Sequence, residues 1–291
     1  MDEFEGKTCV VTGAGNGMGR SMAKRFAAEG MRVVACDIEE PQLDSLRTEI
    51  EAGGGVVVTT RTDVTDPAAV EALRDLALEH FDSVDLVCNN AGVGGPSGRS
   101  PHELTVQDYE WVIGVDLWGV IHGVRTFMPL LIEQNSGHMV NTASLSGLTS
   151  GASINAAYYI AKHGVVALSE ASFHDLRMRG SEVGVSVLCP GFVGTTIFED
   201  QSRRPESLIP PGGVKSEPDQ ERLEAAMREL LIAGLSPDHV AGLVYDAVVD
   251  KQFYIYTHPV AMAGVAARHR AIEEAGFPPM GLMDAGLRGD L

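Results

Sequence analysis

Ser144, Tyr158 and Lys162 are the residues of this 291-residue chain whose types and spacing suit a defined piece of chemistry. Tyr158 and Lys162 stand four apart in a segment, residues 156–179, whose composition favours helix, so both side chains leave one face a turn apart. A phenol with a pKa of about 10 is a poor base near neutrality, and lowering it by ~3 units takes about 4 kcal/mol of differential stabilisation. An ammonium group one turn away can supply that. The phenolate so formed would take a proton from a hydroxyl while a hydride leaves the same carbon, and a serine would hold the oxygen. Tyr-x-x-x-Lys also arises by chance on exposed helices, and Tyr159 is a decoy with His163 four residues beyond it. The pair therefore gains meaning only from what surrounds it.

The elements that must position these groups can be read in order. Residues 7–12 form a β-branched apolar run, followed by Gly13-Ala14-Gly15-Asn16-Gly17-Met18-Gly19 and a helical pattern over 20–29. Strand, glycine turn and helix are the context of a dinucleotide site, because glycines admit the pyrophosphate to the backbone and the helix start presents free N–H groups. The second strand, 31–37, ends in Asp37, placed to accept both hydroxyls of an adenosine ribose and to repel a 2′-phosphate, which favours NAD over NADP. Neither Asn16 nor Ile38 beside it offers a cation; Asp37 also stands where it would cap a helix starting near Glu39.

Helix is expected over 42–52, strand over 56–61 ending at Asp63-Val64, and a helix opened by Asp66-Pro67. The fourth strand, 84–88, runs into Asn89-Asn90-Ala91-Gly92, small residues suited to a turn at the carboxyl edge of a parallel sheet, where doubly wound folds bind ligands. A long apolar helix begins at Leu104, with a kink or break expected at Met128-Pro129. The fifth strand, 137–144, delivers Ser144, and the sixth, 183–189, stops at Pro190-Gly191. The alternation predicts an α/β fold, one parallel doubly wound sheet of seven strands with helices on both faces, in a single domain.

Residues 198–220 carry Pro205, Pro210, Pro211, Gly212, Gly213 and Pro218, too much punctuation for regular structure, and read as a mobile lid before a helix over 221–233. The expected division is a cofactor-binding and catalytic core over 5–197, a substrate lid over 198–235 and a tail over 258–291. A capped helix follows from Ser236 to Val249, then a seventh strand over 253–257. The tail has a weak helical stretch over 261–275 and would cover either a neighbouring subunit or the mouth of the site.

Composition excludes several classes. A net charge of −18 opposes binding to nucleic acid or an anionic membrane, and 44% hydrophobic with 21% charged residues is ordinary globular usage. The acidic start and the lack of eighteen consecutive apolar residues point to a cytoplasmic protein. Cys9, Cys36, Cys88 and Cys189 lie apart in apolar runs and are expected to be buried thiols, and the nine histidines lack metal-ligand spacing, so no metal is expected.

Taken together, Thr12 to Gly19, Asp37, Asp63, Asn89 to Gly92, Ser144, Tyr158, Lys162 and Pro190-Gly191-x-Val193-x-Thr195 resemble the short-chain dehydrogenase/reductase family over residues 5–197. The resemblance implies Tyr158 as general acid/base, Lys162 binding the nicotinamide ribose and depressing the tyrosine, and Ser144 orienting the reacting oxygen. It implies cofactor contacts at Gly13, Asn16, Gly17, Met18, Gly19, Asp37, Asp63, Val64, Asn90, Ala91, Gly92, Pro190, Gly191, Val193 and Thr195. One position departs. The family has asparagine, holding a water that links the lysine to solvent, where this chain has Asp116, acceptor-only when ionised and able to raise the pKa of Lys162. The C-terminal part is similar to bacterial members that oxidise benzylic alcohols of lignin-derived compounds. Phe192, Ile197, Phe198, Leu208 and Ile209 agree with a hydrophobic or aromatic secondary alcohol.

The expected function is therefore an NAD-dependent oxidoreductase interconverting a secondary alcohol and a ketone, as a homodimer or homotetramer. The alternatives are an NADP-dependent ketone reductase of the same family and a nucleotide-sensing protein without catalysis. A sugar-nucleotide epimerase fits less well, because Gly13, Gly17 and Gly19 do not follow Gly-x-x-Gly-x-x-Gly.

Overall fold

The computed structural model describes residues 4–150, 155–211, 213 and 218–279. Its seven strands are β1 (Thr8–Thr12), β2 (Arg32–Asp37), β3 (Val56–Arg61), β4 (Leu86–Asn89), β5 (His138–Thr142), β6 (Gly184–Cys189) and β7 (Tyr254–Tyr256). They form one sheet in the order β3-β2-β1-β4-β5-β6-β7 with every pairing parallel. The chain winds outward from β1 to β3, then crosses back to β4 beside β1. That reversal leaves a crevice at the carboxyl ends of β1 and β4, the switch point where such sheets bind ligands.

Helices cover both faces. Helices α1 (Gly17–Ala28) and α2 (Glu40–Ala52) pack on one face; α3 (Pro67–Phe81) packs on the other. Strand residues alternate between the faces: Cys9 and Val11 join the first cluster, Val10 the second, all fully buried. All four cysteines are free and buried, and burial pushes the Cys36 and Cys189 thiols up to about 12.

The apolar run after Leu104 is α4 (Val106–Ile113), a π-helical turn (Gly114–Trp118) and α5 (Gly119–Gln134). As a whole it is long and apolar enough to cross a membrane, yet in this fold it packs against β4, β5 and α3. Pro129 does not break it: α5 continues five residues further, to Gln134. Pro129 and Arg125 both lie on the exposed face, so the carbonyl that loses its intrahelical donor can bond water instead, while buried Phe127, Met128 and Leu131 hold the other face on the sheet.

Helix α6 (Ala156–Arg179) carries Tyr158 and Lys162. The segment expected to lack regular structure contains two 3₁₀ turns, Ile197–Arg203 and Glu206–Leu208, and α7 (Pro218–Ile232) begins three residues earlier than the sequence pattern indicates. A proline at the first helical position costs no hydrogen bond, so Pro218 starts the helix. Helix α8 (Pro237–Val249) is capped by Ser236 Oγ, which accepts the His239 N–H at 3.2 Å, and packs on α1. The tail forms α9 (Met262–Glu273); residues 280–291 of the expected tail lie outside the described residues.

Helix α5 approaches β4 at Gly123, where a Cβ would strike the buried Asn89 carboxamide. That carboxamide donates to Asn141 Oδ1 at 2.9 Å, and Asn141 in turn donates to Ser169 Oγ at 3.0 Å. Gly123→Ala is therefore expected to destabilise the protein by about 1–3 kcal/mol through overpacking, read as a lowered urea midpoint; an unchanged midpoint would show that Asn89 can move aside.

Candidate active site

Ser144 lies two residues past β5, in extended backbone, and its Oγ accepts the Ser146 N–H at 3.1 Å and donates to Pro190 O at 3.4 Å. Asn155, which the sequence reading missed, caps α6: its Oδ1 accepts the Tyr158 N–H at 3.3 Å and its Nδ2 donates to Gly94 O at 2.6 Å. The start of α6 is thus tied to the loop after β4. Asn is a common N-cap, and a cap search at the start of the helical pattern was the signal available.

Lys162 is buried. Its Nζ donates to Thr142 O at 3.2 Å, stands 3.4 Å from Asp116 Oδ2 and lies 5.4 Å from the Tyr158 ring centroid. Asp116, fully buried in the π-helical turn, accepts the Val93 N–H at 2.7 Å. Burial alone would lower the Lys162 ammonium, but the Asp116 carboxylate more than offsets this and holds it above its ordinary value. Burial likewise raises Asp116, against the pull of Lys162 and Val93.

Tyr158 departs from expectation in direction. Burial raises the phenol, Lys162 pulls it down, Asp116 pushes it up and Ser144 pulls it down, and the net shift is upward. The lysine by itself does not prepare the phenolate, because burial first, and then the Asp116 carboxylate, work against it.

The glycine turn and the end of β4 meet closely at the switch point. A Cβ on Gly13 would come within 2.7 Å of Ala91 Cα, and one on Gly19 would strike the Gly13 carbonyl. Thr12 Oγ1 accepts the N–H groups of Asn90 and Ala91 at 2.9 and 3.0 Å, and the Asn90 side chain donates to Thr12 O at 3.0 Å. Above this lies a cavity of about 240 Å³ lined by Gly13, Asn16, Gly17, Met18, Asp37, Asp63, Val64, Asn90, Ala91, Gly92, Tyr158, Lys162, Pro190 and Thr195. Asp37 is not the cap of α2, a position held by Glu39; its two oxygens accept the N–H groups of Gly15 at 2.8 Å and Glu39 at 3.1 Å. Each carboxylate oxygen keeps a further lone pair for a ribose hydroxyl. A cradle this tight against backbone, with an acid at one end and the Tyr158-Lys162 pair at the other, fits a nicotinamide dinucleotide.

A second cavity, of about 830 Å³, adjoins the first and is lined by Ser144, Tyr158, Pro190, Gly191, Val193 and Thr195 together with apolar residues of the loop after β6 and of α7. Val193 is buried and bridges to Leu235, and the Gly191 N–H donates to Thr257 Oγ1 at 3.0 Å. Of the five apolar residues expected to meet substrate, Phe192 and Ile197 line this cavity and Leu208 lines the first, whereas Ile209 is 44% exposed; the Phe198 side chain lies outside the described residues.

Two arginines missed by the sequence reading tie down the segment after β6. Arg204 pairs with Asp108 of α4 at 2.7 Å with both side chains 1% exposed, donates to Leu208 O at 2.8 Å and lies 5.1 Å from the Trp111 ring centroid. Arg203 lines the first cavity beside Asp37 and pairs with Glu39 Oε2 at 2.9 Å, the same oxygen that accepts from Asn16 Nδ2 at 3.0 Å. The cation that seemed absent from the neighbours of Asp37 therefore arrives from more than 160 residues away. No local pattern signals either pair.

Residues 7–206 match the family model for short chain dehydrogenase. A short-chain dehydrogenase/reductase from Burkholderia phymatum, solved in complex with NAD, superposes with a TM-score of 0.91 at 42% identity, covering 97% of this chain and 99% of that one. The "CLA biosynthesis dehydrogenase/reductase" of Lactiplantibacillus plantarum is 30% identical over 98% of this chain and 99% of its own length. A 1-deoxy-11-beta-hydroxypentalenate dehydrogenase of Streptomyces exfoliatus is 34% identical over 87% of this chain and 83% of its own. With its parallel sheet and its glycine turn facing the Tyr158-Lys162 helix, the chain belongs to the short-chain dehydrogenase/reductase family and is an oxidoreductase acting on CH–OH groups.

Proposed function

We propose that the protein uses NAD to oxidise a bulky, largely apolar secondary alcohol to its ketone. The observation that carries this reading is the place of Tyr158, which lines both the dinucleotide-shaped cleft and the larger apolar cavity beside it. When bound, the oxidised nicotinamide supplies the hydride acceptor and a positive charge. In this reading Ser144 holds the substrate hydroxyl, Tyr158 Oη takes its proton, and Lys162 steadies the resulting phenolate. Gly13 to Gly19 and Asn90 to Gly92 seat the dinucleotide backbone, Asp63 and Val64 flank the adenine, and Val193 and Thr195 meet the carboxamide end. The aromatic, lignin-like substrate is one member of the class an apolar cavity of about 830 Å³ would admit.

NAD is favoured because a 2′-phosphate would meet two carboxylates, Asp37 and Glu39, at the same end of the cleft. The second reading, an NADP-linked ketone reductase, draws on Arg203, whose guanidinium reaches that end from the lid. Titration of NADH and NADPH fluorescence separates the two. Wild type is expected to bind NADH at least tenfold more tightly, about 1.4 kcal/mol, and Asp37→Ala to lose most of that preference. Equal binding, or a preference for NADPH, would favour the second reading.

Trp118 of the π-helical turn and Ile160 of α6 are each half exposed, and each offers apolar surface to a subunit contact. Light scattering is expected to report a homodimer or homotetramer, and a monomer at micromolar concentration would remove this assignment.

Asp116 yields a prediction with a definite sign. Its carboxylate raises the Tyr158 pKa, so Asp116→Asn lowers that pKa and makes the phenolate available at lower pH. The alkaline rise in dehydrogenase activity is expected to move to lower pH, with turnover kept within about tenfold, ~1.4 kcal/mol in the barrier. A larger loss, or an unshifted profile, would give the acid a role of its own in moving protons.

A further inference from the structure

The larger cavity carries a histidine ring that the proposed reaction does not use. His258 follows β7 at the carboxyl edge of the sheet and lines the same cavity as Ser144 and Tyr158. Its position is built rather than incidental. The Nδ1 atom lies 2.7 Å from Thr257 Oγ1, and that buried hydroxyl accepts the Gly191 N–H at 3.0 Å. The ring is packed so closely on the backbone that a Cβ on Gly191 would come within 2.7 Å of Nδ1, so the close approach requires glycine. With its lone pair facing the Gly191 amide, the Thr257 hydroxyl is free to give its own proton to Nδ1. On that donation Nδ1 is the acceptor, and we assign the ring proton to Nε2. Desolvation lowers the His258 pKa below its ordinary value, which keeps the ring neutral near pH 7.

Two other polar groups on this wall, Thr149 and Asn155, are already engaged. Thr149 Oγ1 donates to Leu145 O at 3.0 Å, and the Asn155 side chain is held by Gly94 and Tyr158. Glu229 sits exposed at the rim on α7. Nδ1 is committed to Thr257, so Nε2–H is the polar group the ring has left to offer a ligand. The separation from the reacting end is bounded by covalent geometry. From Ser144 Oγ to Pro190 O is 3.4 Å, and stepping along the peptide to Gly191 and on to the ring places Nδ1 within about 12 Å of that hydroxyl.

We propose that His258 is a specificity-determining residue whose Nε2–H donates to a second oxygen of the substrate, so that the preferred alcohols carry a hydrogen-bond acceptor, a carbonyl or carboxylate oxygen, on the same apolar skeleton as the carbinol. This deepens the secondary-alcohol reading and rests on it. An apolar substrate lacking the acceptor would leave a half-buried N–H unpaired in the complex, which is where the discrimination comes from.

The test uses ketones bound to the enzyme with oxidised NAD, a complex that cannot turn over. Isothermal calorimetry compares 2-decalone with decalin-2,6-dione, which share bulk and differ in one remote carbonyl. Wild type is expected to bind the dione about five- to tenfold more tightly, the range of one net hydrogen bond. His258→Phe is expected to bind both alike, His258→Gln, which retains an N–H donor, to keep part of the preference, and NADH affinity to stay unchanged in both variants. If wild type binds both ketones equally, or His258→Phe keeps the preference, the role of His258 is overturned while the secondary-alcohol reading stands. If the enzyme–NAD complex binds neither ketone while binding NADH normally, the secondary-alcohol reading falls and this inference falls with it.

Discussion

The buried contact between Lys162 and Asp116 is the point on which the catalytic end of this molecule depends. Four pieces of chain meet there: Lys162 from α6, Asp116 from the π-helical turn, the Val93 N–H from the loop after β4, and the Thr142 carbonyl from the end of β5. Charges this deeply buried are tolerable only when paired and hydrogen-bonded, so each of the four constrains the others. Removing the lysine would leave the carboxylate uncompensated in a dry site. The π-helical turn contributes by its shape: one extra residue in the turn interrupts the regular helix where Asp116 is needed against Lys162.

The same contact sets the electrostatics of Tyr158. Burial raises the phenol most, a lysine one turn away on the helix lowers it, and the carboxylate behind the lysine works against the lysine. The balance leaves the phenol above its ordinary value, so in the proposed reaction the remaining positive charge must come with the nicotinamide. The base would then become competent when the cofactor is in place, which couples proton abstraction to the presence of the hydride acceptor.

The segment after β6 is held by a different device. Arg204 and Asp108 form an almost fully buried pair, with Asp108 also closing the capping box of α4 through Thr105. Although burial works against it, the bonds from Thr105 and Arg204 hold the Asp108 carboxyl below the usual range. One residue earlier, Arg203 joins Glu39 across the adenosine end of the cleft. Neighbouring residues of one short segment thus fasten it both to α4 and to Glu39 at the start of α2.

Local patterns by themselves determined the seven strands, the alternation that makes the sheet parallel, and the placement of Tyr158 and Lys162 on one helix face. Each follows from side-chain periodicity, glycine turns and caps, which act over a few residues. Glycines at 13, 17 and 19 and an acid at the end of β2 likewise announced a dinucleotide cleft, because close backbone approach leaves a compositional trace. Tertiary structure alone decided that Pro129 would sit on the exposed side of α5, where its lost hydrogen bond can be replaced by water. It also decided that Asp116 would offset the lysine, that Arg203 would bring a cation to the end of the cleft where Asp37 sits, and that Asn155 and His258 would join the walls of the substrate cavity. The physical reason is the same in each case: ion pairs and cavity walls are made between residues far apart in sequence, and their energies depend on distance and burial, which no short window of sequence contains.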